Sequence, residues 1–217
     1  ITGYSRRAKN VLVHLHTGWN IRLQLGMTGH AYWIADRRTL PAHARVVFEL
    51  AGREAIVFED ARTFGLITVY RDGDNVFEEY GPEPLEPGFN GAALAQALGR
   101  AQGPIKPLLL DQSRVAGLGN IWAAEALFRA GIHPSRPANS LSARELGALA
   151  RAIRHVLDKA IAGTMEVPRS AAEFPEADLL RTAVYGRAGE PCRKCQKPVQ
   201  RVVQAGRATF FCAGCQR

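Results

Sequence analysis

The chain has 217 residues, 47% hydrophobic and 22% charged, which is the make-up of a packed globular protein with room for one large domain or two small ones. No apolar run approaches a membrane span and no signal-peptide pattern opens the chain, so the reading is of a soluble intracellular protein. The net charge is +8 and is unevenly placed: residues 1–89 carry 10 Lys and Arg against 11 Asp and Glu, whereas residues 181–217 carry 8 against 1. A compact basic segment of that kind points to a polyanion partner, nucleic acid before a merely solvated surface.

Ile1 leads straight into "RRAKNVLVHL", which reads as the middle of a domain, with the N-terminus cut, missing or lost. From Val11 to Val69 the pattern is β. "NVLVHLH", "WNIRLQL", "ARVVFEL", "EAIVFED" and "GLITVY" are short runs of Val, Ile, Leu and Phe separated by turns such as "TGWN" and "LAGRE", as in antiparallel hairpins of a sandwich or barrel. "YGPEPLEPGFNG" (80–91) has three prolines and three glycines and reads as a linker.

Helices follow. Asn90 is placed to cap "AALAQALGR", with Gly103–Pro104 as its stop, and a short helix is expected around Lys106–Gln112. "VAGLGN" is a tight turn opening "IWAAEALFRA". Ser142 and Glu145 have capping-box spacing. In the helix they start, Leu146, Leu149, Ile153, Val156, Leu157 and Ile161 fall on one face and read as core. Residues 163–184 are poorly patterned and read as a loop.

All four cysteines lie in the last 26 residues, as Cys192-x2-Cys195 and Cys212-x2-Cys215 separated by 16 residues. Two such turns each offer two sulfurs and together complete a tetrahedron, so one structural Zn2+ is expected, with every position filled. Two disulfides or a redox dithiol fit less well, because the protein reads as intracellular and neither pair sits in a βαβ setting. Between the pairs, "KPVQRVV" and "RATFF" alternate like two strands joined by "QAGR", with Gly206 at the tip and Arg207 beside it. An arginine on a rigid hairpin suits a phosphate.

In this order, "LGMTG", "GPEPL", "IKPLLLDQ", "GLGNI", "GIHP", "VYGRAGEPC" and the two C-x2-C pairs resemble the formamidopyrimidine-DNA glycosylase / endonuclease VIII family of bifunctional base-excision repair enzymes, over nearly the whole chain. The resemblance implies a multidomain α and β protein. It would comprise a truncated antiparallel β-sandwich or barrel domain over 1–80, a linker over 81–91, a helix–two-turn–helix domain over 92–184 with a lesion-loop region at 163–184, and a four-Cys zinc-finger β-hairpin over 185–217. It implies a monomer in the bacterial cytoplasm, associated with the nucleoid, with damaged double-stranded DNA as partner and no membrane.

Such enzymes must turn a base out of the helix and fill the space it leaves. The resemblance gives that filling role to Met27, Arg62 and Phe64, a set that favours the formamidopyrimidine (8-oxoguanine) branch. On residue type alone, Met27 and Phe64 read as core, and Arg62 as exposed. Asn120, heading a helix, reads as a phosphate contact, a plain N-cap, or both. The resemblance implies DNA contacts by Lys106 near the lesion and by His43, which taken alone is a surface histidine. It assigns Lys9 to the active site and β-elimination, and Arg207 to phosphate binding and δ-elimination. Arg100 is a further candidate phosphate contact.

The family's nucleophile, an N-terminal proline followed by a glutamate, does not appear at Ile1–Thr2. The expectation is therefore either a piece of a normal enzyme or a damaged-DNA-binding protein without catalysis, with little glycosylase activity in this polypeptide. The lesion-loop stretch "GTMEVPRSAAEFPEADLLRTAVYGR" departs from the family pattern after Gly163–Thr164. A zinc-ribbon protein that contacts protein or RNA would share only the finger, and ranks last.

Overall fold

The computed structural model describes residues 1–165 and 181–217, apart from Asn75 and Glu78. Most of the expected lesion loop, 166–180, lies outside the described residues. The chain forms two compact units, Ile1–Glu78 and Glu79–Arg217.

The first unit has seven antiparallel strands: β1 (Gly3–Arg7), β2 (Asn10–His14), β3 (Trp19–Gln24), β4 (Gly29–Ile34), β5 (Ala44–Glu49), β6 (Ala55–Asp60) and β7 (Leu66–Arg71). One sheet runs β1-β2-β3-β7 and the other β4-β6-β5. Val13, Leu23 and Phe58 are buried between them, flanked by Ile21, Val46, Phe48 and Ile67. The five Val/Ile/Leu-rich runs became strands as their alternation predicts. β4 was not evident, because it is an edge strand whose residues Ala31 and Trp33 face solvent, so its apolar signal is diluted.

Register decides where the loops of this unit go. Asn10 pairs with Gln24, and Gln24 with Leu66. In the other sheet Gly29 pairs with Asp60, and Ala44 with Glu59. The β1–β2 turn, the β3–β4 turn, the entry to β5 and the β6–β7 loop therefore all emerge at one end of the sandwich.

The second unit holds α1 (Gly91–Leu98), α2 (Ile105–Leu110), α3 (Asn120–Ala130), a 3-10 turn at Ala138–Ser140, α4 (Ala143–Met165), β8 (Gln200–Gln204) and β9 (Arg207–Phe211). Asn90 caps α1, its side chain accepting from Ala92 and Ala93 N–H. The helix stops four residues before the expected Gly103, because Gly99 takes a left-handed φ of 55° and its N–H turns back to Ala95 O. The capping box at α4 is reciprocal: Glu145 N–H donates to Ser142 Oγ and Ser142 N–H to Glu145 Oε2. Arg136 also binds that carboxylate, which is held at about 2, well below the usual range, first by Arg136 and then by Ser142.

Leu146, Leu149, Ile153 and Val156 join Leu94, Ile105, Leu109 and Leu127 in one core, with Leu157 packed on its edge. Ile161, expected there, is 48% exposed. The expected linker is likewise not a free tether. Gly81 N–H donates to Gln112 O and Ala116 N–H to Pro82 O. A Cβ at Gly81 would lie 2.5 Å from the Arg114 backbone, so glycine is what lets this segment lie flat on the helical unit.

Helix α3 is apolar on two faces. Ala123, Ala126 and Leu127 enter the helical core, while Ala124 and Phe128 pack on Val184, Val199, Cys192 and Cys212. The finger is thus built onto α3. Its β8–β9 hairpin pairs Gln204 with Arg207 across Ala205 and Gly206, both left-handed at φ 45° and 73°, the twist a two-residue hairpin turn demands. A Cβ is disfavoured in that region by about 1 kcal/mol. Ala205→Gly should therefore raise the unfolding free energy of the zinc-loaded protein by about 0.5–1 kcal/mol, read as a higher urea midpoint; a lower midpoint would contradict this assignment of the turn.

Candidate nucleic-acid interface

Each unit gathers its own set of the expected residues. In the first unit, Lys9 sits exposed at the tip of the β1–β2 turn, after Ala8 at a left-handed φ of 53°. Met27 lies on the β3–β4 turn and Phe64 on the β6–β7 loop, and both are far from core: they are 66% and 57% exposed. Arg62 lies over the Phe64 ring at 5.0 Å. His43, exposed at the entry to β5, accepts Asp60 N–H at its carbonyl. Lys9, Met27, His43, Arg62 and Phe64 therefore share one end of the sandwich, although 54 residues separate the first from the last.

Asp60, which sequence reasoning missed, ends β6 among them and is 1% exposed. Its Oδ1 accepts from Thr28 Oγ1 at 2.5 Å and from Arg62 N–H at 3.2 Å, and its Oδ2 from Gly65 N–H at 2.7 Å. Burial opposes its ionisation, but the Thr28 hydroxyl and the Gly65, Arg62 and Thr63 N–H groups outweigh that, and it is held below the usual carboxylate range. An aspartate just before a loop was the available signal.

In the second unit, Lys106 of α2, expected to contact DNA near the lesion, turns inward. It is fully buried, and Nζ donates to Asn120 Oδ1 at 2.5 Å, Thr209 Oγ1 at 2.9 Å and Ala208 O at 3.4 Å. Burial, and secondarily the positive charge of Arg207, bring its ammonium down to about 8. Asn120 is not the N-cap of α3. Gly119 holds that position without a side-chain bond, while the Asn120 amide donates to Ala208 O at 3.1 Å and Tyr185 Oη at 3.4 Å. Tyr185 stacks edge-on against Phe210 at 4.9 Å.

The head of α3 and the strand carrying Arg207 are thereby tied at one junction, with the Arg207 side chain exposed. The turn before α3 is fixed by Gln112, whose amide donates to Leu110 O and Leu118 O and accepts Gly117 N–H. Glu125 holds the approach to the finger by accepting three successive N–H groups, Ala183, Val184 and Tyr185, at 2.7–2.9 Å. Neither residue is conspicuous in sequence, because both act on backbone that only tertiary packing brings near. Arg100 stands apart, beyond α1, lining a shallow cleft with Gln102 and Asn139.

The four cysteine Sγ atoms lie within 4.8 Å of one another, with Cys192–Cys215 at 3.8 Å and Cys195–Cys212 at 3.4 Å. A tetrahedral Zn2+ with Zn–S of about 2.3 Å spaces its sulfurs by about 3.8 Å, so this set fits one structural Zn2+. Burial and the neighbouring sulfurs push the Cys212 and Cys215 thiols up, while the Lys194 and Cys195 N–H groups lower Cys192 against its burial, so loss of the thiol protons is tied to metal binding.

Comparison with known proteins agrees with this architecture. Residues 1–67 match the formamidopyrimidine-DNA glycosylase N-terminal domain, 80–169 the formamidopyrimidine-DNA glycosylase H2TH domain, and 189–217 the zinc finger found in FPG and IleRS. The formamidopyrimidine-DNA glycosylase of Gluconobacter oxydans (strain 621H) is 41% identical over an alignment of 231 residues, covering all of this chain and 82% of that one. The structure of MutM (Fpg) from Thermus thermophilus superposes with a TM-score of 0.84 at 40% identity, covering 98% of this chain and 81% of that one. The Lactococcus lactis Fpg in complex with a Fapy-dG-containing DNA gives 0.88 at 30% identity, covering 100% and 82%. With three consecutive domains matched along its length and a four-thiol finger of the right geometry, the chain belongs to the formamidopyrimidine-DNA glycosylase family.

Proposed function

We propose that the protein serves base-excision DNA repair as a DNA glycosylase and abasic-site lyase: it binds damaged duplex DNA, turns out and excises oxidised purines of the formamidopyrimidine and 8-oxoguanine type, and cleaves the abasic strand by β,δ-elimination. The observation that supports this reading is the Lys106–Asn120–Ala208 junction, which ties the head of α3 to the strand carrying the exposed Arg207. The Fapy-dG-containing DNA bound by the Lactococcus relative supports the substrate class.

In this reading Arg207 supplies a charge-assisted bond to phosphate, and Asn120 presents the N-terminus of α3, where unpaired N–H groups and the helix dipole favour an anion. Lys106 acts through them and does not touch DNA. In the first unit, Met27, Arg62 and Phe64 enter the stack where the base has left, and His43 joins them on the backbone. Lys9 lies on the active-site side and promotes β-elimination. Arg207, besides gripping phosphate, assists δ-elimination. Zinc, when bound, holds the two C-x2-C turns together and takes no part in the chemistry. The protein works as a monomer in the bacterial cytoplasm, at the nucleoid. Among the described residues no helix is long and apolar enough to cross a membrane.

The test is affinity for a duplex containing one abasic analogue, read by fluorescence anisotropy across a salt series. Binding should exceed that to undamaged duplex and weaken steeply with salt. Arg207→Ala should lower affinity about tenfold and reduce the salt slope by about 1, with zinc content unchanged. Equal binding by this variant would remove the finger from the interface, and equal binding of damaged and undamaged duplex would reject the function. Borohydride trapping on an 8-oxoguanine duplex then reads whether these 217 residues carry the chemistry as well as the recognition.

A further inference from the structure

Met27 and Phe64 leave large apolar surfaces in water at the tips of two separate connections, an arrangement that does not stabilise the fold by burial. Loops carrying such side chains are ordinarily mobile. Here they are bound to each other. The Thr28 hydroxyl donates to Asp60 Oδ1 and accepts Arg62 N–H at 3.3 Å, so the residue after Met27 is bonded to both ends of one contact. Asp60 completes it by taking Arg62 N–H on one oxygen and Gly65 N–H on the other, which brackets Thr63 and Phe64. Thr63 is held at a left-handed φ of 56°, a state that persists in a non-glycine residue only where its surroundings over-determine it.

The backbones themselves touch. A Cβ at Gly26 would lie 2.8 Å from the Phe64 carbonyl. One at Gly65 would lie 2.4 Å from the Phe58 ring and 3.0 Å from Asp60 Oδ2. No side chain fits at either position: Gly26 lets the Met27 turn lie directly on the Phe64 loop, and Gly65 lets that loop close over Phe58 and Asp60. Asp60 is anchored in turn from behind, its N–H on His43 O at 3.0 Å and its carbonyl taking Arg45 Nε at 2.8 Å. A carboxylate suits this place because every group facing it is a donor; an amide would turn its own N–H2 toward one of them.

We propose that Asp60, acting with Thr28, is a positioning residue for lesion recognition: it locks the Met27 turn to the Arg62–Phe64 loop so that the three side chains meet DNA as one preformed wedge. The proposal rests on the reading of Met27, Arg62 and Phe64 as the residues that enter the duplex. Its physical content is preorganisation. Ordering two independent loops on the DNA would cost conformational entropy for each immobilised side chain, and the clamp shifts that cost into folding. The loss on breaking it should therefore appear where insertion is required and be smaller where only the phosphates are held.

The experiment uses the full chain with a duplex bearing an abasic analogue and 2-aminopurine in the opposite strand beside it, so that unstacking raises fluorescence. Anisotropy gives affinity for the same duplex and for its undamaged counterpart. Thr28→Val keeps the shape and removes the hydroxyl; Thr28→Ser restores it; Asp60→Asn removes the matched acceptor. Thr28→Val and Asp60→Asn should each lose about tenfold more affinity on the abasic duplex than on the undamaged one, a difference of about 1.4 kcal/mol, together with most of the fluorescence rise. Thr28→Ser should recover both. If Asp60→Asn alters the near-ultraviolet circular dichroism, the Thr28 pair decides. A normal fluorescence rise in Thr28→Val, with that of Phe64→Ala abolished, would overturn the clamp and leave the wedge standing. A normal rise in both Met27→Ala and Phe64→Ala would overturn the wedge itself.

Discussion

Replacing Cys195 with alanine should unfold the finger and abolish specific binding to damaged duplex. Structural zinc in small domains contributes roughly 10 kcal/mol or more to folding, and the segment it organises has little else. Cys192 and Cys212 are themselves core residues, packed with Val199 and Val184 onto Ala124 and Phe128 of α3. The β8 strand buries none of its residues beyond Gln204, which is half-buried. Losing one ligand therefore frees both turns, releases the hairpin, and exposes the α3 face beneath. Zinc per chain should fall from one toward zero, and DNA binding should fall to the level of the first unit and the remaining helices. Arg207→Ala is the control, because it should impair binding with zinc still in place. A Cys195→Ala protein that kept both zinc and affinity would refute the four-thiolate site. Chelation of the native protein should reproduce the variant's behaviour, and added Zn2+ should reverse it.

Lys106→Met should be the next most damaging change. Methionine fills much of the volume but leaves Asn120 Oδ1 and Thr209 Oγ1 without their ammonium partner, and a stranded buried acceptor costs about 1–3 kcal/mol. The head of α3 then keeps only the Asn120 amide bond to Ala208 O of the Arg207 strand, a looser junction, so affinity for DNA should drop. The pH dependence separates this residue from an ordinary surface lysine. Its folded value, about 8, lies below the usual 10.5, so between these limits the unfolded chain binds more protons than the folded one and stability rises with pH. The native protein should gain on Lys106→Met from pH 8 to pH 10, by an amount on the order of 3 kcal/mol at most. Urea midpoints of the two proteins at pH 7, 8.5 and 10 measure it, and a constant difference would show that the ammonium is not desolvated.

The same two residues show how far sequence reaches. Cys195 and its partners are legible because metal ligation is a local rule: two C-x2-C turns at the right separation satisfy one ion whatever surrounds them. The caps at Asn90 and Ser142–Glu145 are legible for the same reason, each being a bond within four residues. The apolar alternation of β2, β3 and β5–β7 and the Leu146–Val156 stripe follow from periodicity alone. The resemblance in motif order singled out Met27, Arg62, Phe64, Asn120 and Arg207 and gave them roles, but not the bonds that hold them in place.

What the tertiary structure decided is direction and company. Lys106 and Arg207 are both cations in sequence; packing turns one inward onto Asn120 and Thr209 and the other outward, because α2 lies against both α3 and β9. Met27 and Phe64 look like core in a β segment, yet ladder register carries them past the last paired residues to the end of the sandwich. Asp60, Gln112 and Glu125 are ordinary polar residues until the backbone they hold is brought to them from elsewhere in the chain. The chain by itself determined its elements, its metal ligands and its family, all of which depend on neighbours in sequence. Which side chains stand exposed and which only hold others in place depended on long-range packing, where burial and the satisfaction of donors and acceptors set the outcome.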